Sequence, residues 1–142
     1  MDDGRVMTPR EYHQYITRMC YNRRNRFNPL WNSVVVAGYH EGKSYLGYTD
    51  LVGTSFEDVT IATGFGAYLA QPLLRKHVER FQQANRAIEK EDARRILEES
   101  LRVLYYRDAR TINSVQVATI TDEGIEITEP FALETQWTFK GF

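Results

Sequence analysis

The sequence predicts an α+β domain with its helices and strands in separate groups. Three observations carry this. Strand-like runs cluster at residues 33–62 and again at 114–128, each cluster broken by turn residues. Two amphipathic helical stretches lie between the clusters, and a capped helix precedes the first. The order helix, four strands, two helices, two strands lacks the regular strand–helix alternation of a wound parallel sheet, so stacked layers are expected.

The first helix has a written start. Thr8-Pro9-Arg10-Glu11 reads as a capping box with proline at the first helical position. Tyr12, Ile16, Met19, Cys20 and Tyr21 follow at mostly helical spacing and predict the buried face. Asn28 precedes Pro29, which predicts a stop near Phe27. Arg18, Arg23, Arg24 and Arg26 crowd the second half. They read as a solvated face that complements the negative helix end, as a basic surface meeting an acidic partner, or as a nucleic-acid patch, the last weakened by the balanced net charge.

"SVVVAGY" (residues 33–39) is a continuous apolar run and predicts a strand covered on both faces. His40-Glu41-Gly42-Lys43 is a hairpin turn, with Gly42 suited to positive φ. "SYLGY" is its partner strand, "TSF" a third and "VTIA" a fourth. The glycine turn "TGFGAY", with Gly64 and Gly66, leads into a helix over 66–82, with Leu69, Leu73 and Val78 on its buried face. Pro72 falls in its first turns, where a missing N–H is tolerated. A second helix over 90–106 buries Ala93, Ile96, Leu97, Leu101, Leu104 and Tyr105, with Glu91/Arg95 and Glu98/Arg102 as outer i,i+4 pairs. "SVQVATI" and "GIEIT" form a last hairpin. Beyond Pro130, residues 131–142 carry Trp137, Phe139 and Phe142 with no regular element to use them. They read either as a tail folded over its own core or as an arm packing on another chain.

Composition bounds the function classes. The chain has 142 residues and a 42% apolar share, enough for one packed domain. The formal net charge of −1 gives no global pull toward nucleic acid. No apolar run is long enough to span a bilayer, so no membrane partner is expected. Met1-Asp2-Asp3-Gly4 does not read as a signal peptide, and Cys20 alone makes no internal disulfide, so a reducing compartment is expected.

The usual catalytic signatures are missing. The glycine turn has Leu69 where a dinucleotide fingerprint wants glycine, and Ala67-Tyr68 where a phosphate loop wants lysine and a hydroxyl. His13, His40 and His77 have no zinc spacing and read as surface or turn residues; no metal or other cofactor is expected. There is no Gly-x-Ser-x-Gly. Asp108, in "YYRDAR", is the one acid that stands out; it reads either as a helix-end turn held by a local ion pair with Arg107 or Arg110, or as a remnant of an active-site framework.

"NPLWNSVVVAGY", "GKSYLGYTDLVGTSFEDVTIATGFGAYLAQPLLR" and "RVLYYRDAR" resemble the beta-type subunits of the proteasome core particle, and among them the branch of the seventh, non-catalytic beta subunit. The resemblance covers nearly the whole chain. It implies an N-terminal nucleophile hydrolase fold, a four-layer αββα sandwich. In that family active members use an N-terminal threonine as nucleophile, its free amine as base, with an early lysine and aspartate. All three would lie upstream of Met1, and residues 1–130 would correspond to the later two-thirds of the domain, with early strands missing and the apolar "VVV" face uncovered. Active members carry serine where this chain has Phe65. The aspartate of their Arg-Asp-Ala motif is kept as Asp108, and a serine three residues on is Thr111. The resemblance therefore implies a vacated site.

It further implies a structural subunit of a stacked hetero-oligomeric ring particle, partnered by other alpha- and beta-type subunits. Trp137, Phe139 and Phe142 would anchor a tail reaching the opposite beta ring. The particle would serve ubiquitin- and ATP-dependent protein breakdown in cytoplasm and nucleus. Two rivals stay open: a catalytic threonine peptidase whose nucleophile segment is absent from this sequence, and a stand-alone binding module.

Overall fold

The computed structural model describes residues 4–138. The elements run α1 (Pro9–Asn25), β1 (Ser33–His40), β2 (Lys43–Asp50), β3 (Ser55–Glu57), α2 (Gly66–Leu69), α3 (Gln71–Gln83), α4 (Lys90–Arg107), β4 (Ala118–Thr121) and β5 (Gly124–Ile127). Helices and strands are mixed and grouped as expected. One antiparallel sheet has the order β1-β2-β3, and β4 pairs with β5. The chain forms two compact units, one holding the residues up to Gly64 with Thr119–Glu126, the other Phe65–Ala118 with the residues from Ile127 on.

In the first unit, α1 starts as its capping box dictates. The Thr8 hydroxyl accepts from the Glu11 amide at 3.3 Å, and the Glu11 carboxylate accepts from the Thr8 amide at 2.8 Å. The helix ends at the Arg26 cap, and Phe27 turns left-handed with φ 54°. The Phe27 amide donates to the Arg24 carbonyl and the Asn28 amide to the Arg23 carbonyl. That bond pair is a Schellman motif.

The buried face of α1 differs from the expected one. Tyr12, Met19 and Tyr21 are exposed, while His13 and Cys20 are buried with Thr17 half-buried between them. The cause lies on the sheet. A β-carbon at Gly38 would sit 2.3 Å from Pro9 Cγ, and one at Gly47 would sit 2.4 Å from His13 Nδ1. Glycines at those two points let the helix settle so close that a stripe of small and polar residues fits where large ones would not.

Strand β1 alternates. Val34 and Val36 are half-buried, but Val35 and Ala37 face outward, so the expected cover on both faces is absent from the described residues. The β1–β2 turn has Glu41 at φ 49° and Gly42 at φ 77°, the primed turn that a two-residue hairpin favours. Across β2 and β3, Tyr48 stacks on its register partner Phe56 with centroids 5.0 Å apart. The expected fourth strand, "VTIA", is not a strand: the Val59 amide bonds the Asp58 side chain at 2.7 Å instead of entering a ladder.

In the second unit the helix expected over 66–82 is broken at Ala70. Pro72 has no amide to give the Tyr68 carbonyl, and its ring crowds that carbonyl, so α3 restarts with Pro72 in its first turn. Ala70 and Leu74 are buried, with Leu73 and Val78 half-buried. On α4 the buried residues are Ile96 and Ser100, while Leu97 is exposed; the Ser100 hydroxyl is satisfied by the Ile96 carbonyl at 2.8 Å. The ion pairs also shift partners. Arg95 pairs with Asp92, Arg94 with Glu98, and Arg102 donates to the Glu134 carbonyl.

Strands β4 and β5 are shorter than expected because side chains take over the ladder near Val117. Its amide donates to the Thr128 hydroxyl, and Gln116 Nε2 donates to the Thr128 carbonyl. The chain from Phe131 then runs along α4. Arg94 lies over the Phe131 ring, Arg102 holds the Glu134 carbonyl, and the Tyr106 hydroxyl accepts from the Gln136 amide. From Arg94 to Tyr106 the helix rises about 18 Å, which six extended residues match at about 20 Å. The tail is thus an extended strap parallel to α4.

Candidate functional site

The glycine turn is set by Gly64, whose φ of +59° favours glycine. Phe65 follows at the helix-start position of α2, where its carbonyl accepts from the amides of Tyr68 and Leu69 at 3.1 Å. Its side chain makes no cap and is 60% exposed. Gly66 is buried. The turn changes the chain's direction, and at position 65 it offers no hydroxyl.

Asp108 and Thr111 are brought together. Asp108 caps α4, its amide donating to the Leu104 carbonyl at 2.7 Å. Its carboxylate accepts from the Arg110 amide at 3.0 Å, so a backbone bond takes the place of the expected ion pair with an arginine side chain. Its carbonyl accepts from both the amide and the hydroxyl of Thr111, at 3.1 and 2.7 Å. The two residues therefore hold a tight helix-end turn.

Trp137 packs edge-on against Tyr105 and Tyr106, with centroids 5.7 and 5.0 Å away. Its indole N–H donates to the Thr135 hydroxyl at 3.1 Å, and 64% of the residue stays exposed. Phe139 and Phe142 lie outside the described residues.

Sequence reasoning missed His13. It reads as a surface residue, yet it is buried between α1 and the sheet. Nδ1 lies 2.6 Å from the Tyr45 hydroxyl; Nε2 lies 2.8 Å from the Tyr48 carbonyl, 2.8 Å from Thr49 Oγ1 and 3.1 Å from Ser55 Oγ. A carbonyl only accepts, so Nε2 donates to Tyr48, while Nδ1 pairs with the Tyr45 hydroxyl, which also meets the Glu57 carboxylate. The Thr17 hydroxyl donates to the His13 carbonyl, so Thr49 donates to Thr17 at 2.6 Å and leaves a lone pair for Nε2. Burial, then the nearby negative Glu57, pushes the Tyr45 hydroxyl above its ordinary value, which keeps it a donor. Both ring nitrogens are occupied, and the cluster locks a helix to a sheet. The signal that could have found it is His13, Thr17 and Cys20 at i, i+4, i+7 opposite a sheet strand with glycine.

His77 was also read as a surface residue. Its Nε2 lies 3.3 Å from a Glu99 oxygen and ties α3 to α4. His40 sits in its turn, exposed beside Glu41.

The model of the proteasome subunit family matches residues 1–120. The chain belongs to the proteasome beta-type subunit family. It is 48% identical over 141 residues to the proteasome subunit beta type-4 of Arabidopsis thaliana, covering 99% of this chain and 55% of that protein. The beta type-4 subunit of Xenopus laevis is 48% identical over 95% of this chain and 54% of its own length. The beta type-7 subunit of Saccharomyces cerevisiae is 36% identical over 97% of this chain and 53% of its own. This beta-type chain thus spans about half the length of the curated relatives it matches.

Proposed function

We propose that this beta-type chain is a non-catalytic structural subunit that helps build the ring of the proteasome core particle, alongside other alpha- and beta-type subunits. It would act in ubiquitin- and ATP-dependent protein degradation through the assembled particle, in cytoplasm and nucleus, and bind no cofactor. The four-layer sandwich is proposed as the form of the complete domain. The observation that carries the non-catalytic reading is Phe65: an exposed ring occupies the turn position where the active members of the family carry a hydroxyl. The exposed apolar residues Val35, Ile112, Ile125 and Ile127 support partner burial. The strap along α4 would fix where the tail leaves the domain, with Phe139 and Phe142 beyond it reaching the opposite ring.

A second reading is a catalytic threonine peptidase whose nucleophile segment is absent from this sequence. Asp108 and Thr111, still joined, favour it. Native mass spectrometry of a gently purified, tagged chain tests the first reading. Recovery in a particle of many subunits is expected, and a compact monomer would overturn it. A threonine-directed covalent probe that labels this subunit in the particle would move the case to the second reading.

A further inference from the structure

The C-terminal half of α1 carries Arg18, Arg23 and Arg24, and Arg26 caps it. Among the described residues none of the four has a carboxylate partner. Arg23 donates to the Asn28 carbonyl, and Arg24 donates to the Asn25 side chain and lies over the Tyr21 ring. The negative helix end accounts for part of this cluster, but that effect fades within the last turn, and Arg18 lies about two turns back. Arg18, Arg23 and Arg26 line an open hollow of about 480 Å³ with Tyr15, Met19 and Asn22.

Phe27 follows directly. It fills the left-handed position of the Schellman motif, where glycine is the usual residue. It is 98% exposed, so the fold gains no burial from the ring while carrying the backbone strain. A residue that breaks a local rule with no gain inside the fold points outward, to a partner.

We infer that this hollow and Phe27 form a docking surface for an acidic protein segment that carries an apolar side chain. The three guanidinium groups of Arg18, Arg23 and Arg26 would pair its carboxylates in their planar fork geometry. The Tyr15 and Met19 floor and the Phe27 ring would take the apolar side chain. From Arg18 to Arg26 the basic strip covers about 12 Å, room for two or three carboxylates and short for a tracked nucleic-acid backbone. The inference is read from residues of α1 and Phe27 and does not rest on the ring-building role.

The test uses the full chain and a fluorescent peptide in which glutamates flank a Leu-Trp pair. Its glutamine counterpart and a labelled oligothymidylate serve as comparisons. The acidic peptide is expected to bind, and to lose at least about tenfold in affinity on Phe27→Gly and on the Arg18→Glu/Arg26→Glu pair. Phe27→Gly is also expected to raise the melting temperature by about 2–5 °C, because it relieves the left-handed strain. Higher stability with weaker binding separates a recognition residue from a structural one. The inference is overturned if the acidic peptide does not bind, if the glutamine peptide binds as well, or if Phe27→Gly leaves the affinity unchanged. It is equally overturned if the oligonucleotide binds more tightly, or if the surface proves to hold a second copy of this chain in sedimentation.

Discussion

His13 lies so close over Gly47 that a β-carbon there would meet its Nδ1 at 2.4 Å and its Cε1 at 2.6 Å. The neighbouring atoms belong to a ring held by four hydrogen-bonding groups, not to a flexible chain end that could swing away. Gly47→Ala is therefore expected to cost about 2–3 kcal/mol in urea unfolding. His13→Ala removes the ring partner of the Tyr45 hydroxyl and the Tyr48 carbonyl and leaves a void, for about 2–4 kcal/mol. Together the two changes should cost less than their sum by about 1–2 kcal/mol, because removing the ring removes the clash. Strict additivity would mean that the ring does not rest on Gly47.

The same pair marks what the sequence could and could not tell. The Thr8–Glu11 cap and the Glu41-Gly42 turn were legible because each is decided within four residues. His13 was not, because its partners Tyr45, Tyr48, Thr49 and Ser55 come from 32 to 42 residues away. Reading the face of α1 from apolar spacing put Tyr12 and Tyr21 inside. The sheet's glycines chose the smaller, more polar stripe instead, and no periodicity within α1 contains that information. Pro72 was visible, but the break it causes at Ala70 depends on the Tyr68 carbonyl having begun a helix one turn earlier. Of the candidate site, Asp108 and Thr111 stood out by motif, while the amide bonds that occupy them follow from how α4 ends.

The cap of α1 should make stability fall in acid. Glu11 is held below its ordinary value, chiefly by the Thr8 amide, then by the Thr8 side chain, with Arg5 contributing less. A carboxyl depressed in the folded state stabilises above its unfolded value and loses that contribution as pH drops through the folded one. Melting curves from pH 6 to pH 3 are thus expected to show an acid slope that Glu11→Gln flattens. Thr8→Ala should cost about 1 kcal/mol at neutral pH and flatten the slope too. An unchanged slope in both variants would remove Glu11 from the acid response.

Cys20 should be a slow thiol. It is 1% exposed, and burial first, then the Asp50 carboxylate, pushes its ionisation up. Thiolate is the reactive form, so both access and charge oppose reaction. Alkylation by iodoacetamide at pH 8 is expected to run at least about a hundredfold slower in the native chain than in denaturant, and to track opening of α1 from the sheet. His13→Ala should speed it by loosening the same contact. Reaction of the native thiol at the unfolded rate would show that α1 opens freely and that the His13 network does not hold it.

The strap on α4 gives Trp137 a role that can be separated from any contact with another chain. Its ring meets Tyr105 and Tyr106 edge-on, and the Tyr106 hydroxyl accepts from the Gln136 amide at 2.7 Å. Tyr106→Phe keeps both ring contacts and removes that acceptor, so it should cost about 1 kcal/mol and free the strap only at its end. Trp137→Ala removes both edge contacts, for about 1–2 kcal/mol. If the strap only closes its own unit, particle recovery should follow these stabilities in both variants. If the strap sets the exit of an arm, Trp137→Ala should lower recovery of the stacked-ring particle well beyond its effect on the melting temperature, because the exposed side of the indole is then lost as well. Native mass spectrometry beside thermal melts of the two variants separates these outcomes, and the arm reading requires the excess loss with Trp137→Ala but not with Tyr106→Phe.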